Sequence, residues 1–207
     1  MVASVFVFLF FAVFTYLGVT KGFSYVKDNF IGHPTKELLE GEWVSSEYGN
    51  PAVFIESPKV LVRDDKRQLP KEAMAIVKDM QMFQYGSLTD NFFVIVSTIS
   101  YKGEQQIDLD KGVEGFLQVM EKQGASNVVV KIDTYDTPEG TSGKKAYGTL
   151  VMKGAGGHAT KMYYELLAFG QDNGVQMILV AHDEQDQYAK QIRERLLNSV
   201  ELKKVAL

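Results

Sequence analysis

Three histidines, His33, His158 and His182, are the side chains of this chain best suited to proton transfer or metal ligation. Their spacing is unhelpful to a metal. A catalytic zinc site needs about three side-chain ligands with room for water, and neither an HExxH nor an HxH pattern occurs. His182-Asp183 is the one pair that places an imidazole beside a carboxylate. It falls at an expected strand-to-helix junction, where Asp183 is also suited to cap the helix. A hydrolase using His182 and Asp183 is therefore set against a plain structural junction, and geometry decides between them.

Other constellations carry less. Lys153-Gly154-Ala155-Gly156-Gly157-His158 is glycine-rich but lacks the GxxxxGK[ST] spacing, and it is expected to join two strands rather than a strand to a helix. A flexible hairpin fits it better. No GxSxG nucleophile elbow is present, and Thr141-Ser142-Gly143 is an ordinary turn. Lys144, Lys145, Lys153 and Lys161 gather near neighbouring hairpin ends. They fit either a solvated edge that resists aggregation or a basic patch for an acidic partner or lipid head groups. No catalytic, cofactor or metal site is assigned.

Composition narrows the classes. The chain has no cysteine, which excludes disulfides, thiol nucleophiles and thiolate metal sites. With 22 basic and 26 acidic residues the net charge is −4. That balance argues against nucleic acid as a partner, which needs a basic face. It gives no support to a polybasic lipid-binding patch.

All of those charges lie after residue 20. Val2 to Thr20 is uncharged, and at ~1.5 Å per residue it roughly matches a ~30 Å hydrocarbon core. A cleaved signal peptide has a basic start, a shorter apolar run and a small-x-small cleavage site, none of which is found here. A buried helix of a water-soluble protein is also disfavoured, because Phe6, Phe8, Phe10, Phe11 and Phe14 surround the helix and leave no polar face. The expectation is a single-pass anchor over 1–21, in contact with membrane lipid, then a juxtamembrane spacer over 22–40. Lys21 and Lys27 weakly favour a cytoplasmic domain on the charge rule.

The domain is expected over 41–202, with a tail at 203–207. From Gly41 the apolar period becomes two. Strands are expected at 52–56 and 60–62, with Pro58 marking an edge or bend. A helix at Pro70–Val77 is expected next, leading to a strand through Tyr85. Phe92–Tyr101 (FFVIVSTISY) reads as a strong strand. Asp108 caps a helix over Leu109–Gln123, whose Val113, Phe116, Leu117 and Met120 make one apolar stripe, and Gly124 ends it. Four strands follow, Asn127–Tyr135, Lys145–Lys153, Thr160–Gly170 and Val175–Ala181, joined by turns short enough for antiparallel hairpins. Asp183 then caps a last helix, Glu184–Ser199. Two amphipathic helices need an apolar surface, and the sheet supplies it. The expected fold class is α+β, an antiparallel sheet flanked by helices.

This order of elements resembles the PsbP/Mog family of α/β/α sandwiches, including bacterial DcrB-like secreted domains. The features that carry it are Trp43, VFIESPKVLV (53–62), the FFVIVSTISY strand leading to GVEGFLQVMEK, the glycine-bearing hairpin of NVVVKIDTYDTPEGTSGKKAYGTLVMKG, and the closing strand, acidic cap and helix up to Glu201-Leu202. The resemblance implies a non-enzymatic, extracytoplasmic domain: members include a photosystem accessory subunit and a Ran-binding transport factor. No motif allows site residues to be carried over. The resulting expectation is a non-catalytic, membrane-anchored accessory or assembly subunit, partnered with other subunits of a membrane complex and using no cofactor. The competing expectation is a small-molecule or lipid-binding module with a pocket between sheet and helix.

Overall fold

The computed structural model of the chain describes residues 33–65, 75–87, 90–103, 106–153, 159–171 and 173–202. The expected anchor with its five phenylalanines, Lys21 and Lys27, the glycine-rich turn with His158, and the tail lie outside the described residues. Among the described residues, no helix is long and apolar enough to cross a membrane.

Among the described residues the architecture is α+β, with antiparallel sheets and three helices. Ten strands among the described residues make two sheets. The larger has seven strands in the order β3-β4-β5-β9-β8-β7-β6. These are β3 (Val62–Arg63), β4 (Val77–Tyr85), β5 (Phe92–Tyr101), β6 (Ser126–Asp136), β7 (Ser142–Lys153), β8 (Ala159–Gln171) and β9 (Gly174–Asp183). Every neighbouring pair is antiparallel. The expected four-strand meander is present as β6 to β9, and β9 continues it onto β5. The smaller sheet joins β1 (Val44–Tyr48), β2 (Val53–Ser57) and β10 (Glu201–Leu202) in the order β1-β2-β10.

Period-two alternation sends alternate side chains of one strand to opposite faces, and in β5 both sets are apolar. Phe93 and Ile95 enter one core cluster, and Phe92, Val94 and Val96 enter another. Each face of the large sheet therefore needs a cover. One is covered by α2 (Leu109–Lys122), which buries Val113, Leu117 and Met120 as the stripe predicts. Asp108 caps α2 by accepting from the Lys111 amide at 3.1 Å, and Gly124 beyond its end has φ 107°. The other face is covered by α3 (Gln187–Asn198), through Ala189, Ile192, Leu196 and Leu197, together with Tyr48, Val53, Ile55 and Leu202 of the small sheet.

Two expectations need correction. The helix expected from Pro70 lies outside the described residues up to position 74, but its expected last residue, Val77, is already in β4, opposite Tyr101. Asp183 does not cap the last helix. Its amide donates to the Asn91 carbonyl at 2.7 Å, which extends β9 through it. Its carboxylate accepts from the Gln185 amide at 2.9 Å in a turn. The cap is Asp186, whose Oδ1 accepts from the Tyr188 and Ala189 amides at 3.0 Å each. Pro34 opens a helix within the expected spacer. It stands in the first turn of α1 (Pro34–Glu40), where the missing N–H costs no hydrogen bond. Leu38 and Leu39 of α1 pack with Trp43 against the α3-side core, so this part of the expected 22–40 spacer is folded onto the domain.

Candidate functional site

The helix starts of α1 and α3 meet the turn between β4 and β5 around a cleft of about 1240 Å³. Its chemistry comes from His33, Thr35, Asp90, Asp183 and Asp186, and its aromatic walls from Tyr85, Phe92 and Tyr188. Gln185, Gln187, Gln191 and Asn91 add amide donors and acceptors.

The polar centre is Thr35, which is buried. Its hydroxyl donates to Asp186 Oδ2 at 2.7 Å and stands 2.6 Å from His33 Nδ1. A hydroxyl has one proton. With that proton directed at Asp186, the contact with His33 requires Nδ1 to be the donor. His33 Nε2 lies 4.0 Å from Asp186 Oδ2, and its ring tilts against Tyr188 at 5.2 Å between centroids. Asp186 therefore caps α3 with one oxygen and holds the start of α1 with the other. The Thr35 hydroxyl is committed to that link and is not presented as a nucleophile. The cleft sets hydrogen-bonding amides and carboxylates beside aromatic faces.

His182 is placed differently. It is buried beneath α3, and its Nδ1 lies 2.7 Å from the main-chain carbonyl of Asp183, not from the carboxylate. With Nδ1–H donating there, Nε2 is buried with no hydrogen-bond partner among the described residues. Burial, and after it the positive charge of Arg193, hold this imidazole below its ordinary value, while the Asp183 carbonyl and nearby Asp186 pull the other way. The imidazole and the carboxylate of this adjacent pair make separate structural bonds, as at a plain strand-end junction.

Beside His182 a polar belt crosses the sheet. The Arg193 guanidinium sits 4.6 Å from the Tyr163 ring centroid, and its Nε is 3.5 Å from Glu165 Oε2. Glu165 also faces Lys145 at 3.9 Å. The Tyr147 hydroxyl donates to Asp133 at 3.0 Å. That bond raises the Tyr147 hydroxyl above its ordinary value, and burial raises those of Tyr163 and Tyr135. On the opposite face burial pushes Tyr164 up to about 12, and its hydroxyl donates to the Val129 carbonyl at 3.1 Å.

The four lysines do not share one surface. Lys144 and Lys145 are consecutive in β7 and point to opposite faces. Lys144 pairs with Asp110 of α2 at 3.0 Å, while Lys145 joins the belt and lies over the Tyr147 ring at 5.4 Å. Lys153 closes β7 about 30 Å away at ~3.4 Å per residue. Lys161 is near that end, opposite Val151, and pairs with Glu184 at 2.9 Å. A single basic patch is therefore replaced by two separate strand ends, with three of the four lysines in ion pairs.

Sequence reasoning missed His33, Thr35 and Asp186 as a group. Thr35 and Asp186 are separated by 151 positions, and no local pattern links them. The only signals were the Pro34 start of a helix and a second acidic cap candidate after Asp183. Among the described residues, no group of three or more His, Cys, Asp or Glu side chains could hold a metal ion. No protein-family model matches the chain, and no curated protein matches it in sequence.

Proposed function

We propose that this chain is a membrane-anchored accessory or assembly subunit that presents a PsbP/Mog-like, non-catalytic domain to a larger membrane complex, on the extracytoplasmic side. The observation that carries the reading is the uncharged run Val2–Thr20, followed within the same short chain by a domain whose first described element is α1 at Pro34. Its support from the domain is that the side chains best suited to chemistry are engaged in holding the fold: Asp186 caps α3 and grips Thr35, and His182 is shut beneath α3. Native mass spectrometry of the full chain after gentle detergent extraction tests it. Stoichiometric co-purifying subunits are expected, and recovery free of any other subunit overturns it. Protease access to the domain in intact cells tests the side.

A second reading is a small-molecule-binding module. The cleft favours it, and its amides, carboxylates and aromatic faces suit a polar, hydroxyl-bearing ligand better than an acyl chain. A bound small mass that survives gentle extraction and is lost on Tyr188→Ala supports it.

A further inference from the structure

The last strand of the large sheet, β6, is paired through β7 alone among the described residues. It is eleven residues long and exposed on both faces. Val129 is 57%, Val130 41% and Ile132 38% exposed. A long edge rich in β-branched residues and without proline is a template for another strand, because its outward N–H and C=O groups have no ladder partner. Lys131 is the only basic guard on it.

The charges on β6 select the occupant. In a two-fold antiparallel pairing about an axis normal to the sheet, each face stays continuous, so opposed residues share parity. Centring the axis on Lys131 sets lysine against lysine, and centring it on Asp133 sets aspartate against aspartate. One register alone places Lys131 opposite Asp133, and symmetry makes that pair twice: the axis passes through Ile132. The same register sets Ile132 against its mate, Val130 against Thr134, and Val129 against Tyr135. The exposed Ile132 and Val130 of both copies then form one apolar cluster beside small Ala146 and Gly148, their partners in β7. Asp133 takes the Tyr147 hydroxyl on Oδ2, which leaves Oδ1 for the incoming Lys131.

We propose that a second copy of this chain pairs with β6 edge to edge, from Val128 to Asp136 with Ile132 on the two-fold axis, extending the sheet across two protomers. The proposal stands apart from the accessory-subunit reading, since a self-paired chain can be a subunit of a complex or none.

The chain contains no cysteine, so engineered ones report cleanly. In the full chain in mild detergent, Ile132→Cys brings two thiols onto strands whose opposed Cα atoms lie about 4.5–5.5 Å apart, within disulfide range. Thr134→Cys puts them about 14 Å apart at ~3.4 Å per residue. On mild oxidation the first is expected to run as a covalent dimer and the second as a monomer. No crosslink for Ile132→Cys, or equal crosslinking of both, overturns the proposal. Lys131→Asp is expected to weaken the dimer about tenfold by opposing like charges. Adding Asp133→Lys exchanges the charges and is expected to restore it. A single reversal without effect, or a double exchange without recovery, also overturns it. Unchanged thermal melting shows that each variant is folded.

Discussion

The two edges of the large sheet differ in how they end. At one, β3 is two residues long, follows Pro58, and runs into Asp64 and Asp65. The Tyr48 hydroxyl accepts from the Leu61 amide at 2.9 Å just before it, which ties this edge to the small sheet. Val62 is 71% exposed, but there is too little strand around it to template another. At the other, β6 presents eleven residues and is tied by the Tyr164 hydroxyl on one face and the Tyr147 hydroxyl on the other, with no strand beyond it among the described residues. A short edge is blunted by brevity and charge, whereas a long one must be occupied or guarded.

That contrast can be broken most strongly at Gly148. A Cβ there would meet the Val129 carbonyl oxygen at 2.0 Å, a main-chain atom that moves only if β6 moves. Gly148→Val is therefore expected to destabilise the domain by about 3 kcal/mol, and hydrogen exchange should show protection lost first in β6 and β7 while β3 and β4 keep theirs. At the other edge, Tyr48→Phe leaves the buried Leu61 amide without its acceptor. A loss of about 1–2 kcal/mol is expected in denaturant melts, with β6 exchange unchanged.

His182 lies on β9, between the edges, and gives a reference that favours neither. Its folded-state value is held down by burial, so the unfolded chain binds the proton first on acidification. Its stabilising contribution is complete above an ordinary histidine value of about 6.5 and falls as pH drops from there toward the lowered folded value. Wild-type melting temperature should decline over that window, with both edges loosening together. His182→Gln should remove that part of the slope. The smallest effect is expected for Val62→Lys: within about 0.5 kcal/mol in stability, with no change in the mass of the assembly. A change in mass there would show that β3 also takes part in association.

The parts of the fold legible in the sequence were those with a strong local period. FFVIVSTISY could only be a strand, and Asp108, the Val113–Met120 stripe and Gly124 marked both ends and one face of α2. The four hairpin strands were bounded by glycine and asparagine turns. The misread places were those where a local signal had two meanings. Asp183 and Asp186 are both good caps, and the Asn91 carbonyl, distant in sequence, decided for Asp186 by drawing Asp183 into β9. The lysines looked grouped because hairpin ends are near in sequence, but adjacent strand residues face opposite ways.

By itself the sequence determined an uncharged run of membrane length, the α+β class, and the absence of cysteine chemistry, because these depend on residue type and short-range period. Tertiary structure alone decided that Thr35 joins His33 to Asp186, that His182 is enclosed beneath α3, and that β6 rather than an interior strand lies at the open edge. Those outcomes depend on which elements pack together across long separations, and no short window of the chain encodes that.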